Sequence, residues 1–365
     1  MYMRIGIFGG AFNPPHIGHV GAAKAAAEQY ELDLLLVIPT GTPPHKQLPP
    51  NTPDAQMRLQ MTRDAFCKLP FAKVSDMEIF SRKYNYTIDT VALLEREYPG
   101  AQFFLPVGTD MYETLSSWKD SDALLKIVTP VVLSRAVVDI SSSELREMLP
   151  QRKGCEFILD LNYSFIIRHR LYDAKPDWGW LRKQAYSMLD ARRIPHVTAC
   201  EAEAVRLAEH WGADPDDARE AAILHDITKK LDFSENMCII SKHGMATDMY
   251  NVSEEKLLHS ITGALLAQSE FGVSDAVFDA IKWHTTGRAG MSLLEKVIYI
   301  ADYIESTRDF NGVKALRKLA YESIDDAMIS GLEMTVSDLK SRGIAPDIKT
   351  NEAIASLVLR KDTIK

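Results

Sequence analysis

With 365 residues, 46% of them hydrophobic, the chain can bury more than one core, and its length fits roughly two domains of about 150–200 residues. A net charge of −8, split at Asp173 into 18 basic and 20 acidic residues before and 24 and 30 after, excludes a broad nucleic-acid-binding face in either half; small phosphate ligands held by a few focused cations stay open. The four cysteines, Cys67, Cys155, Cys200 and Cys238, form no C-x-x-C pair, and no apolar run approaches the roughly 18 residues of a membrane span, so the sequence predicts a soluble, cytoplasmic protein with reduced thiols and neither membrane nor nucleic acid as partner.

In chain order, up to about Leu125, short apolar runs alternate with helical patterns: "RIGIF", "HVGAAKAAAEQY", "LDLLLVIP", "DAQMRLQMTRDAF", "VSDMEIF", "IDTVALLEREY" and "QFFLPVG". Such alternation predicts an α/β fold with a doubly wound parallel sheet. From Trp178 the strand runs vanish, and "TACEAEAVRLAEHWG", "DDAREAAILHDITKKL", "HSITGALLAQSEF" and "LLEKVIYIADYIES" carry apolar residues at helical spacing. The second half is therefore expected to be all-α. The seam falls in "YDAKPDWG", Tyr172 to Gly179, giving predicted domains 1–174 and 175–365.

Ligands of a parallel sheet bind beyond the carboxyl ends of its strands, and "GGAFNPPHIGH" follows the first predicted strand. Gly9 and Gly10 let the backbone approach an anion, while Pro14 and Pro15 stiffen the loop before a helix whose N-terminal amides favour negative charge. His16 and His19 are expected on one face of that first turn, able to stabilise charge on a leaving pyrophosphate. No P-loop and no G-x-G-x-x-G occurs, so the cradle is of another kind.

These residues resemble the His-x-Gly-His nucleotidyltransferases, here "HIGH", and more closely the nicotinate-mononucleotide adenylyltransferases, from about Arg4 to Asp173. "TPPHK", "YTIDT", "VGTDMYETLSSW" and "ISSSELR" follow in that family's order. HIGH alone would leave pantetheine-phosphate, cytidylyl and other adenylyl transferases open; the YTIDT and GTD-to-Trp118 segments point to the pyridine-nucleotide branch. The resemblance implies that Gly9, Gly10, Phe12, His16, His19, Gly108, Asp110, Ser142, Ser143 and Arg146 bind ATP, which carries Mg²⁺ on its phosphates. His16, His19, Lys46 and Arg146 are the implied catalytic set, with Lys46, Thr87 and Trp118 on the mononucleotide side. In one departure, only Ala136, Val137 and Val138 stand between Arg135 and Asp139, where the family inserts a longer segment.

In the second half, His196, His225, His259 and His284 fall in helical patterns, His225 is followed directly by Asp226, and Asp302 interrupts an apolar helix face. An unpaired buried carboxylate is costly, and metal ligation is one way to satisfy it. "RRIPH", "AAILHDITK", "LLHSITGA" and "AIKWHTTGRAGMSLLEKVIYIADYIESTR" resemble the HD superfamily of metal-dependent phosphohydrolases, specifically the symmetrically cleaving diadenosine-tetraphosphate hydrolases. The resemblance implies His196, His225, Asp226 and Asp302 as metal ligands, with His259 and His284 either completing a second metal site or holding substrate phosphate. Ligation by nitrogen and oxygen without thiolate suits iron or manganese, and the family implies iron. Asp226 and Lys229 are the implied catalytic residues, and Arg193, Lys229, Thr285 and Arg308 the candidate phosphate contacts.

The sequence thus predicts a bifunctional enzyme that adenylylates nicotinate mononucleotide and splits diadenosine tetraphosphate into two ADP. One rival makes the helical domain a metal- and nucleotide-binding sensor of the transferase without turnover; another gives it a different nucleotide substrate. A homo-oligomer is compatible with the sequence, which leaves the assembly state open.

Overall fold

The computed structural model describes residues 2–41, 48–80, 85–133, 140–246 and 255–364. The chain forms two units, Met1–Asp177 and Trp178–Lys365. Among the described residues no helix is long and apolar enough to cross a membrane.

The first unit is a doubly wound α/β structure. Its elements run β1 (Arg4–Gly10), α1 (Ile17–Gln29), β2 (Leu34–Pro39), α2 (Ala55–Phe66), β3 (Ala72–Val74), α3 (Thr87–Glu97), β4 (Gln102–Gly108), α4 (Thr109–Glu113), α5 (Ser121–Ile127), β5 (Val128–Leu133), α6 (Ser142–Met148) and α7 (Asp160–Arg168). The strands form one parallel sheet in the order β3-β2-β1-β4-β5. Both faces are covered, so the strands read as near-continuous apolar runs. Ile5 and Ile7 pack with Leu36, Ile38, Val91 and Leu94 on one face; Phe8 packs with Leu35, Val37, Ala23 and Phe66 on the other. The order reverses between β1 and β4, and the crevice beyond their carboxyl ends is where such a sheet binds ligands.

One expected strand shortens, and one strand falls in a stretch where none was expected. "VSDMEIF" contributes only Val74 to the sheet; the chain then turns, with the Ile79 N–H donating to Asp76 O. The edge strand β5 lies in "VTPVVL", where Pro130, which lacks an N–H, is tolerated because among the described residues no further strand pairs with this edge.

The second unit is all-α. It comprises α8 (Trp178–Ser187), α9 (Ile194–Trp211), α10 (Pro215–Leu224), α11 (Phe233–Lys242), α12 (Glu255–Phe271), α13 (Asp275–Lys282), α14 (Leu293–Ile304), α15 (Val313–Glu322), α16 (Ile324–Ser341) and α17 (Ile348–Ile364). α14, LLEKVIYIADYI, is buried along most of its length between α9, α10, α13 and α16, which explains its lack of a polar stripe. The pattern "DDAREAAILHDITKKL" does not form one helix: α10 ends at Leu224, and His225 Nδ1 approaches Ala222 O at 2.7 Å, satisfying a carbonyl of the last turn. His284 repeats the device beyond α13, its Nδ1 lying 2.7 Å from Ile281 O.

Candidate active sites

In the first unit the loop after β1 carries the histidine pair. His16 is extended (φ −146°, ψ 172°) and caps α1 instead of lying within its first turn. Its backbone N–H donates to His19 Nδ1 at 3.2 Å, and the ring centroids are 3.8 Å apart. A His19 that accepts at Nδ1 carries its proton on Nε2, which is then its donor. Burial lowers His16 to about 4; burial and the neighbouring His16 lower His19 to about 3. Phe12, a nucleotide-binding candidate, is 2% exposed, with its ring among Phe8, Phe66 and His19. A contact to nucleotide from Phe12 would therefore use its backbone.

Ser142 and Arg146, on α6, grip this loop. Ser142 Oγ donates to Pro14 O at 2.9 Å, Arg146 Nη1 to Asn13 O at 2.7 Å, and Arg146 Nη2 to Ser143 Oγ at 3.0 Å. Sequence reasoning missed two more supports. Tyr172, from the end of the unit, donates its hydroxyl to Asn13 Oδ1 at 2.8 Å. Arg58, on α2 and 1% exposed, donates from Nη1 to Ala11 O (2.9 Å) and Thr40 O (2.7 Å) and from Nη2 to Gly41 O (3.0 Å), bracing the loops after β1 and β2 together. The available signal was Arg58 standing beside Leu59 on the apolar period of "AQMRLQMTRDAF".

Beside the loop, at the sheet's switch point, a cavity of about 490 Å³ brings together Gly9, Gly10, Thr87, Asp110 and Trp118 with Glu78, Thr90 and Lys119. Among the described residues nothing lies within 4 Å of where a Cβ on Gly9 would sit, so the space beside this glycine is open. A Cβ on Gly108 would stand 2.7 Å from Asp110 Oδ1, so a side chain there would have to displace this carboxylate. Trp118 both lines the cavity and packs against the core. Asp110, expected beside adenosine, shares this cavity with Thr87 and Trp118, expected beside nicotinate. Glu78, missed in the sequence, accepts from Thr90 Oγ1 at 2.7 Å, and burial pushes its carboxyl up to about 7. Lys46 and the short segment 136–138 lie outside the described residues.

In the second unit the six predicted metal-site residues gather in one cluster centred on Asp226, which is fully buried. Asp226 Oδ2 faces His225 Nε2 (3.3 Å) and His196 Nε2 (3.7 Å); Oδ1 faces His259 Nε2 (3.3 Å) and His284 Nε2 (3.7 Å). Asp302 Oδ1 lies 3.0 Å from His196 Nε2. His259 and His284 approach within 3.2 Å at their Nε2 atoms. Burial alone would raise the Asp226 carboxyl, but His225, His259 and His284 hold it well below the usual range; burial lowers His259 to about 4.

The donor set fits a divalent cation. His225 and His284 turn Nδ1 toward backbone carbonyls, leaving Nε2 for the centre. Among the described residues His196 Nε2, His225 Nε2 and Asp226 Oδ1 are buried without a well-formed hydrogen bond, so their lone pairs face a centre that could hold a cation. Two triplets, His196 with His225 and Asp302, and His225 with Asp226 and His284, each hold ligand atoms within 4.8 Å of one another. The cationic candidates border the same cluster: Arg193 Nε donates to Asp226 Oδ2 (2.6 Å), Arg308 Nη2 to Asp302 Oδ1 (2.7 Å), and Lys229 Nζ lies 2.8 Å from His259 Nε2. Thr285 Oγ1 donates to Ser260 Oγ at 3.2 Å. Glu305, missed in the sequence, places Oε1 3.1 Å from His196 Nδ1. Its signal was a second carboxylate three residues after Asp302.

Fold and sites together define a nucleotidyltransferase-type sheet followed by an HD-type helical unit. The cytidylyltransferase-like family matches residues 7–148, and the HD domain family, which implies a divalent metal, matches residues 193–307. A symmetrical bis(5'-nucleosyl)-tetraphosphatase of Bacillus subtilis is 42% identical over 162 residues, 44% of this chain and 87% of that protein. A probable nicotinate-nucleotide adenylyltransferase of Oceanobacillus iheyensis is 35% identical over 186 residues, 46% of this chain and 96% of that protein. A probable nicotinate-nucleotide adenylyltransferase/Ap4A hydrolase of Mycoplasma pneumoniae is 27% identical over 323 residues, 83% of this chain and 88% of that protein. The chain belongs to the nicotinate-nucleotide adenylyltransferase family through its first unit and to the HD-type symmetrical tetraphosphatases through its second.

Proposed function

We infer that the chain is a bifunctional enzyme, an adenylyltransferase of NAD synthesis joined to a symmetrical diadenosine-tetraphosphate hydrolase. The observation that carries the reading is the Asp226-centred cluster of imidazoles and carboxylates in the same chain as the His16–His19 pair at a sheet switch point. Each is the machinery its own reaction needs.

In the first reaction a phosphate oxygen of nicotinate mononucleotide attacks the α-phosphorus of ATP in line, and the bond to the bridging oxygen breaks to release pyrophosphate. His19 donates from Nε2 to the phosphates while neutral, so it need not be protonated to act. Arg58, Ser142 and Arg146 hold the loop backbone that presents the pair. The cavity beside it takes the nicotinate ring against Trp118, where an indole can stack. Mg²⁺ enters with ATP.

In the second, water adds to a central phosphorus of diadenosine tetraphosphate, the central bridging P–O bond breaks, and two ADP leave. His196, His225, Asp226 and Asp302 would hold a divalent ion, iron or manganese by their donor types, and His259 and His284 would complete a second metal site or hold substrate phosphate. Such an ion supplies Lewis acidity toward phosphate oxygens and lowers the pKa of water. Arg193, Lys229 and Arg308 neutralise the phosphate chain, and Thr285 offers a hydroxyl.

Incubating the purified protein with ATP and nicotinate mononucleotide, and separately with diadenosine tetraphosphate plus iron or manganese, and identifying the products by mass tests both assignments. Deamido-NAD with pyrophosphate, and ADP alone, are expected; AMP with ATP from the second incubation would overturn symmetrical cleavage.

A further inference from the structure

A buried carboxylate of the helical unit that belongs to no predicted set yet touches a predicted ligand is Glu305. It caps the C-terminus of α14, three residues beyond Asp302, and is fully buried. Its carboxylate is saturated by donors: Thr307 N–H on Oε2 (2.5 Å), and Thr307 Oγ1 (2.6 Å) with His196 Nδ1 (3.1 Å) on Oε1. The turn carrying it is itself tied down, because Arg317 donates from Nη2 to Glu305 O (2.7 Å) and Arg308 O (2.8 Å) and from Nε to Ile304 O (2.7 Å).

His225 and His284 direct Nε2 inward by giving Nδ1 to a carbonyl three residues back in their own chain segment. His196 has no such arrangement. It sits near the start of α9, and the acceptor at its Nδ1 is a carboxylate from a different helix. We propose that Glu305 is a positioning residue for the metal site, holding the His196 ring in the tautomer and orientation that turn Nε2 toward Asp302 and Asp226. This inference rests on the metal-dependent reading of the helical unit.

The same geometry tells positioning from mere turn formation. A glutamine at 305 has one accepting oxygen where the carboxylate has two. If that oxygen serves His196, the amide nitrogen meets the Thr307 N–H; if it serves Thr307, the nitrogen meets the His196 N–H. Glu305→Asp keeps the charge but draws the carboxylate back from His196 by one methylene.

The test is Mn²⁺ binding by the full chain, read from the electron paramagnetic resonance signal of free Mn²⁺, with thermal melting alongside. Outer partners of ligating histidines typically affect affinity by about 10–100-fold, so both Glu305→Gln and Glu305→Asp should raise the Mn²⁺ Kd by about that factor. Saturating Mn²⁺ should then restore most of the hydrolysis of diadenosine tetraphosphate, as expected of a residue acting through a ligand. Folded variants that bind Mn²⁺ within about twofold of wild type would overturn the proposal and leave Glu305 a turn former. If Glu305→Gln does not fold, Glu305→Asp decides alone by the same criterion. A wild-type protein that binds no Mn²⁺ would overturn the metal reading and this inference with it, whereas wild-type binding with unaffected variants overturns only the inference.

Discussion

The backbone N–H of His16 donates to Nδ1 of His19 at 3.2 Å, so the second histidine of the pair is held with its proton on Nε2. With a pKa lowered to about 3 by burial and by His16, His19 is a neutral donor throughout the physiological range. His19→Ala should therefore slow adenylyl transfer by at least about 10²-fold, the lower range for losing one preorganised donor. Between pH 6 and 8 the wild-type kcat should show no limb from this imidazole. Steady-state rates across that interval check both statements.

The same burial makes the first unit sensitive to acid. His16 and His19 titrate near 4 and 3 when folded but at the ordinary 6.5 when unfolded, so the unfolded chain takes up protons first as the pH falls. Stability is full above 6.5 and declines as the pH drops toward 4. Thermal melting of wild type against a His16→Gln, His19→Gln double variant should show the variant losing less stability across that window.

Arg58 offers a test of loop bracing. Its guanidinium serves three carbonyls in two loops, and among the described residues no carboxylate forms an ion pair with it. Arg58→Ala should cost about 1–3 kcal/mol, the range for leaving such acceptors unpaired, because the three carbonyls are only part-buried. Urea unfolding measures the loss. Adenylyl transfer should fall with it, and hydrolysis of diadenosine tetraphosphate should not.

Asp226 separates the enzyme reading from the sensor rival. Asp226→Asn exchanges a bridging carboxylate for an amide among four imidazoles, so bound iron or manganese should drop sharply and ADP formation should be abolished. Adenylyl transfer should stay within about twofold of wild type, because sites without coupling free energy act independently. A wild-type transferase rate that responds to diadenosine tetraphosphate, with no ADP formed, would favour the sensor.

Separate expression of residues 1–177 and 178–365 should yield two folded proteins, each keeping its own reaction. Ending the first piece at 174 removes Pro176 O, which accepts from Arg152 Nη1 at 2.9 Å, and the Asp177 N–H, which donates to Tyr163 Oη at 2.8 Å. A lower melting temperature for 1–174 than for 1–177 is expected by circular dichroism.

The sequence by itself determined the sheet-then-helices order, the loop that bears His16 and His19, and the six imidazoles and carboxylates of the helical cluster, because apolar period and short motifs are local properties of the chain. It could not determine where α10 stops, since "AAILHDITK" keeps a helical period and the stop comes from His225 turning Nδ1 onto Ala222 O. Nor could it identify Arg58, Glu305 or Tyr172. Each is an ordinary polar residue in its own segment and gains a role from an atom far off in sequence: Ala11 O for Arg58, His196 Nδ1 for Glu305 and Asn13 Oδ1 for Tyr172. Only the tertiary structure decided that Asp226 offers one oxygen to His196 and His225 and the other to His259 and His284, because that division depends on how α9, α10, α12 and α13 pack, and a linear pattern carries no record of distances between helices.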